Sequence, residues 1–325
     1  MNEKHIVIVG AGPCGISAAI ECKKAGCDVT LFEKGNIVNA LYHYPTHQQF
    51  FSTSEKLSIG DIPFYSTERK PKRNEALVYY RKVVEEYDLH INAFEEVLSI
   101  NKQSDGEFHV KTKKKNNDMR TYKAHAVIVA TGYYDSPNFM NVPGEEQNHV
   151  LHYFHEAHPY FNQKVAVIGG KNSAVDAALE LEKAGAEVTV YCRDSDYSAS
   201  IKPWILPEFE GLVRNGKILM HFNTEIESIG PESISVLHEG TKRQTYDADF
   251  VFAMTGYHPD HSFIRSIGVK VDEESGRPEF DPETMETNVS GIYIAGVIAA
   301  GNNANEIFIE NGRHHGELIA KSIAV

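Results

Sequence analysis

"HIVIVGAGPCGISAAIECKKAGCDVTLFEK", residues 5–34, decides the fold. Ile6, Val7, Ile8 and Val9 form an unbroken β-branched run, the pattern of a strand buried on both faces. A glycine turn follows, with Gly10, Gly12 and Gly15 in G-x-G-x-x-G spacing. Residues 13–24 then read as a helix, Ala25-Gly26 as its stop, and a second apolar run ends in Glu33 and Lys34. Glycines in that turn permit a tight bend, close approach to a pyrophosphate and helix–strand packing. Glu33 stands roughly 20 residues on, where a carboxylate accepts hydrogen bonds from an adenosine ribose.

The same plan occurs a second time. "KVAVIGGKNSAVDAALELEKAGAEVTVYCR", residues 164–193, aligns without gaps on the first stretch, Gly169 over Gly10. The second turn is altered to Gly169, Gly170, Lys171, Asn172 and Ser173, so Lys171 replaces the middle glycine and brings positive charge to a phosphate. Cys192 stands at the place of Glu33, and Arg193 follows it. Loss of the carboxylate removes repulsion against a 2′-phosphate, and a guanidinium binds one in bidentate fashion, which favours NADPH over NADH. Two such units imply two dinucleotides, with FAD and NAD(P)H as the usual pair. The expected fold is therefore α/β, with two Rossmann-like dinucleotide-binding domains.

Later segments extend this reading. "AHAVIVATGYYDSPN" is a strand ending at Ala130, Thr131 and Gly132, and "ADFVFAMTGYHPD" repeats that ending at Met254, Thr255 and Gly256. Gly296 lies in "SGIYIAGVIAAGNNANEIF", which resembles the late segment of two-dinucleotide flavoproteins, where a strand runs into a helix beneath the flavin; Val297 stands where that pattern carries an aspartate binding the ribityl chain, leaving the backbone N–H groups at the next helix start for that contact. The expected domains are 1–155 for the first part of the FAD domain, 156–255 for an inserted NADPH domain and 256–325 for the second FAD part. Residues 73–94 read as an amphipathic helix leading into a strand, and 102–124 as a β-meander with a solvated lysine face.

Composition sets the outer limits. The chain has 325 residues, 42% hydrophobic and 24% charged, with a net charge of −13. That balance fits a globular protein and argues against nucleic acid or an anionic membrane as the partner. The first apolar run is too short for a signal peptide, and no stretch reaches the roughly 18 apolar residues of a membrane span. Cys14, Cys22, Cys27 and Cys192 form neither a CxxC pair nor a metal-ligand spacing, so a reducing cytoplasm and no metal are expected.

The chain resembles the bacillithiol disulfide reductase family, similar in turn to the thioredoxin reductase-like FAD/NADPH flavoproteins. The resemblance rests on "GAGPCG", "FEKGNIVNALYHYPTHQQFFSTSEKLSIGDIPF", "ERKPKRNEALVYYR" and "VAVIGGKNSAVDAALEL", and it runs over essentially the whole chain. It implies a homo-oligomeric bacterial enzyme that passes hydride from NADPH to FAD and reduces bacillithiol disulfide, a small-molecule substrate. It also implies that Cys14 is the redox thiol. The residues themselves leave two roles for Cys14 open. A helix N-terminus lowers a thiol pKa, but a pyrophosphate uses the same positive charge, and the aligned Ser173 suggests that small size suffices.

Other candidates cluster in "YHYPTHQQFFSTS", where His43, Tyr44 and His47 follow the ribose-binding strand; His47 is the expected FAD contact. Arg69, Lys70, Lys72 and Arg73 form a basic patch able to attract a carboxylate-rich thiol. Two rival classes share the double dinucleotide plan: flavin monooxygenases, and electron-transfer flavoproteins of the ferredoxin reductase type or redox sensors. "LHYFHEAHPYF" lacks the glycine of the monooxygenase linking motif.

Overall fold

The protein is described from a computed structural model, which covers residues 4–303 and 305–324. It divides into two compact units. One holds residues up to His43, His47–Ser136 and Tyr257 onwards; the other holds Tyr44–Thr46 and Pro137–Gly256.

In the first unit β1 (His5–Val9), α1 (Pro13–Lys24) and β2 (Asp28–Glu33) form the expected βαβ start. Two short helices follow, α2 (Asn39–Tyr42) and α3 (Ser54–Leu57), and then α4 (Arg73–Glu86). The Glu75 carboxylate accepts from the Lys72 N–H at 2.8 Å and closes the start of α4. β3 (His90–Ala93) returns to the sheet, and β4 (Glu95–Lys102), β5 (Phe108–Lys114) and β6 (Met119–Ala124) make the expected antiparallel meander, before β7 (Ala126–Val129) re-enters the parallel sheet.

The second unit begins its sheet at β8 (Val150–Leu151) and continues with β9 (Lys164–Ile168), α5 (Asn172–Lys183), β10 (Glu187–Tyr191), α6 (Leu206–Arg214) and β11 (Ile218–His221). A second antiparallel meander, β12 (Thr224–Gly230), β13 (Ser233–His238) and β14 (Lys242–Asp247), leads to β15 (Phe250–Ala253). The chain then returns to the first unit with α7 (His261–Ser266), β16 (Ile292–Ile294), α8 (Ile309–Gly312) and α9 (His315–Ala324).

The sequence repeat is a structural repeat. The first sheet runs β16-β7-β1-β2-β3 and the second β11-β10-β9-β15-β8, all parallel. Register is kept too: His5 faces Asp28 as Lys164 faces Glu187, at aligned positions. Each meander even carries its irregularity at the same place, Val97/Ser99 in one and Ile226/Ser228 in the other. Such parallel strands are covered on both faces, so β1 and β7 are apolar along nearly their whole length and almost wholly buried.

The expected domain boundary after residue 155 falls later than the observed one. Residues 137–155 pack with the second unit because Val150 and Leu151 pair with Val251 and Phe252 and so lengthen its sheet. A two-residue strand has no periodicity that sequence reading could detect.

Candidate functional site

The first glycine turn is shaped by neighbours on β7 and α1. Gly10 has a left-handed φ of +103°, and a Cβ there would lie 2.5 Å from the Ala130 carbonyl oxygen. A Cβ on Gly15 would lie 2.1 Å from the Gly10 oxygen, so the start of α1 and the end of β1 touch backbone to backbone. Gly12, by contrast, has nothing within 4 Å of where its Cβ would be, which leaves open space in front of the turn. No side chain caps α1 and no acidic residue stands in its first turn. Uncapped N–H groups and a helix N-terminus facing open space suit an anion.

Glu33 closes the far side. Its carboxylate is buried and accepts the Ala11 N–H at 3.0 Å and the Gly35 N–H at 2.8 Å. Desolvation raises its pKa, and the two backbone donors oppose the rise. Two of about four acceptor positions are used, so two remain for ribose hydroxyls. These features together fit the adenosine end of FAD. Lys34 pairs with Asp135 at 3.1 Å. Thr131 and Gly132 are half-buried at the end of β7, adjoining Ala130 and hence Gly10. His47 is exposed in a turn.

Cys14 meets residues from the far end of the chain. Its sulfur would lie 3.1 Å from a Cβ on Gly296 and 3.0 Å from one on Gly312. Burial pushes the Cys14 thiol up to about 12, although the residue as a whole is half-buried, whereas Cys22, Cys27 and Cys192 are buried. Gly296 begins a short helical turn in the left-handed region, φ +80°, and donates its N–H to Nδ1 of His315 at 3.1 Å. The Gly296 N–H is thus taken up by the ring, and burial holds the His315 ring down to about 4, in its neutral form. Neither Gly312 nor His315 carried a sequence signal, because both lie about 300 residues from the turn they serve.

Val38 is a further residue that the sequence did not mark. It sits in the left-handed region at φ +46°, a β-branched side chain where few are found, and its N–H donates to the Ala11 oxygen at 2.8 Å. Such strain costs on the order of 1–3 kcal/mol and persists only where neighbours hold it. Two arginines hold this stretch. Arg73 donates to the carbonyls of Leu41 and Tyr42 at the end of α2, and Arg313 donates to those of Glu55 and Ser58 around α3. Arg73, assigned by sequence to an anion-attracting patch, is instead committed to backbone. Lys72 pairs with Glu68 at 2.9 Å.

The second turn differs in the ways its residues dictate. Gly169 repeats the Gly10 geometry, with a Cβ 2.5 Å from the Met254 oxygen. A Cβ on Gly170 would lie 2.3 Å from the Cys192 sulfur. Lys171 and Ser173 are exposed at the start of α5, which again has no side-chain cap and no acid in its first turn. Arg193 is exposed beyond β10. The Asn172 side chain is taken up by the chain itself, donating to the Ser200 oxygen and accepting the Lys202 N–H, both at 2.9 Å.

Residues 7–296 match the family described as "Pyridine nucleotide-disulphide oxidoreductase". The chain belongs to this family. Membership makes the protein an enzyme, an oxidoreductase with the FAD and NADPH that the family implies. Within the family it is 58% identical, over all of its own length and 98% of the relative's, to bacilliredoxin reductase Bdr of Bacillus subtilis (strain 168). The solved structure of bacillithiol disulfide reductase Bdr (YpdA) from Bacillus cereus is 57% identical, covers 99% of both chains and superposes with a TM-score of 0.97. That from Staphylococcus aureus is 53% identical, covers 99% of this chain and 98% of its own, and gives 0.94. Thioredoxin reductase from T. acidophilum shares the fold at 24% identity, with a TM-score of 0.74 over 99% of this chain and 98% of its own. The resemblance to the bacillithiol disulfide reductase family and the thioredoxin reductase-like α/β fold read from the sequence therefore stand.

Proposed function

We propose that the protein reduces bacillithiol disulfide to two molecules of bacillithiol at the expense of NADPH. One hydride from NADPH and one proton from solvent convert one disulfide into two thiols. The supporting observation is the duplicated βαβ unit with divergent carboxylate positions: Glu33 in one turn, the Cys192 sulfur in the other. Gly10, Gly12, Gly15, Glu33, Lys34, Thr131, Gly132 and Gly296 are assigned to FAD, with His47 as the loop contact. Gly169, Gly170, Lys171, Ser173 and Arg193 are assigned to NADPH, and Asn172 to the same turn. When bound, FAD supplies two-electron relay chemistry between nicotinamide and disulfide. The protein holds it through the uncapped start of α1 and the acceptor oxygens of Glu33.

Cys14 is the proposed thiol in contact with the disulfide, supported by its being the one cysteine of four that is not fully buried. A second reading makes Cys14 a packing residue, favoured by the sulfur's seat against Gly296 and Gly312 and by a thiol held up to about 12. Anaerobic NADPH consumption with bacillithiol disulfide, for wild type and Cys14→Ala, separates the two. Full activity in the variant assigns Cys14 to packing; loss of thiol release with intact flavin reduction assigns it to exchange. Absence of disulfide turnover in the wild type overturns the substrate.

The name of the B. subtilis relative, bacilliredoxin reductase, points to a second acceptor, a bacilliredoxin. Oxidised bacilliredoxin included in the same assay tests it directly. A homo-oligomer in bacterial cytoplasm completes the proposal. No described helix is long and apolar enough to cross a membrane, and sedimentation of the holoenzyme measures the assembly.

A further inference from the structure

Asn172 holds a piece of chain that the nucleotide assignment does not use. Both ends of its amide are satisfied by the segment after β10, at Ser200 O and Lys202 N. Within that segment the Ser198 and Ser200 hydroxyls bond each other at 2.8 Å, and the Ile201 N–H reaches Ser198 O at 3.0 Å. Ile201 is buried in the core of the unit, while the Ile205 N–H turns back onto Lys202 O at 2.9 Å. Residues 198–205 are therefore an ordered turn docked against the start of α5. Asp196, Tyr197 and Ile201 line a narrow crevice together with Gly169, Gly170 and Cys192.

Charge gives this arrangement its direction. Cys192 removes the carboxylate from the end of β10, and Arg193 stands exposed beside it. Lys171 is the residue from which α5 starts, and Asn172 fixes the backbone of Lys202 one position further on. The backbones of Lys171 and Lys202 thus both stand at the start of α5, and Arg193 follows Cys192, whose sulfur lies against Gly170 of the same turn. Asp194 and Asp196 are the opposing charges on the intervening loop, both exposed. A backbone fixed beneath a cation reduces the entropy lost when that cation meets an anion.

We propose that Lys202 is a determinant of NADPH selectivity, a contact for the 2′-phosphate, and that Asn172 is the positioning residue that holds it there. The proposal rests on the assignment of NADPH to the second turn. The step is binding alone, with no bond made or broken.

Calorimetric titration of the FAD-loaded protein with adenosine 2′,5′-bisphosphate and with AMP tests it, because neither ligand carries a nicotinamide and so neither passes hydride to the flavin. A charge-assisted hydrogen bond of ordinary strength predicts that Lys202→Gln weakens the bisphosphate about tenfold and AMP less than about twofold. Lys202→Arg retains the preference, and Asn172→Ala loses most of it. Trp204, the chain's single tryptophan and 56% exposed, gives an independent fluorescence titration two residues from Lys202. Equal weakening of both ligands in Lys202→Gln, or none, overturns the assignment of Lys202 while leaving NADPH in place. A wild type that binds the bisphosphate no better than AMP overturns both readings. Retained selectivity in Asn172→Ala overturns the positioning role alone.

Discussion

The sulfur of Cys192 sits where a Cβ on Gly170 would have to be, 2.3 Å away. At the aligned place in the first unit the Glu33 carboxylate accepts the Ala11 N–H. One turn thus presents acceptor oxygens and the other a sulfur interlocked with a glycine. Gly170→Ala is expected to cost about 1–3 kcal/mol through overpacking. Cys192→Ala should recover much of that loss, because it removes the clashing atom. A double-mutant cycle in urea unfolding measures the coupling, and additive losses would argue against the interlock.

Restoring the carboxylate should redirect nucleotide choice. Cys192→Glu places negative charge beside the ribose position, and charge repulsion of ordinary size predicts a KM for NADPH raised on the order of tenfold. The KM for NADH should rise much less or fall. Steady-state kinetics with the two nucleotides decide it.

His315 gives the fold a pH dependence. Burial lowers its pKa from 6.5 to about 4, so the folded ring is neutral while the unfolded ring takes up a proton as pH falls. More protons bind the unfolded state in that window, so stability rises with pH. The contribution is fully present above pH 6.5 and is lost as pH falls towards about 4. Asn at 315 can still accept the Gly296 N–H but does not titrate. Thermal melts of wild type and His315→Asn between pH 4 and 7 should therefore diverge at the acid end, with the variant the flatter.

Cys14 should be a slow nucleophile in the resting protein. With its thiol pushed up to about 12, the thiolate fraction at neutral pH is far below that of a free cysteine. Iodoacetamide labelling followed by mass spectrometry should show Cys14 modified much more slowly in the native than in the urea-unfolded protein. Rapid native labelling at pH 7 would contradict the seat against Gly296 and Gly312.

Arg313 ties the chain's last segment to α3 through the carbonyls of Glu55 and Ser58. Hydrogen bonds to a charged group are worth about 1.5–3 kcal/mol each. Arg313→Met should therefore speed hydrogen exchange in residues 53–58 with little change in the parallel sheets. Unchanged exchange there would remove Arg313 as the anchor.

What the sequence made legible was local. The strand, turn and helix of residues 5–34 and 164–193 announce themselves through apolar runs and glycine spacing, and their shared register follows from the gapless alignment. The acceptor role of Glu33 was legible for the same reason. What stayed hidden depends on residues distant in sequence. Gly312 and His315 reach Cys14 and Gly296 only after the chain has closed on itself, and nothing in their own neighbourhoods predicts it. Asn172 was read as a nucleotide contact because of its place in the turn; its bonds to Ser200 and Lys202 depend on how a loop about 30 residues later folds back. Val38 was unreadable for another reason: backbone strain is imposed by surroundings and leaves no mark in residue type.

The return of the chain after Gly256 has a consequence in time. The middle unit is nearly contiguous, and its five parallel strands have all been synthesised once Ala253 emerges. The first unit cannot place β16 beside β7 until residues 292–294 are made, or α9 against α1 until residues 315–324 are made. On the ribosome the segment translated second can finish before the segment translated first. Until residues 292–294 are made, β7 has no partner on its outer edge, and the seat of Cys14 waits on Gly296 and Gly312.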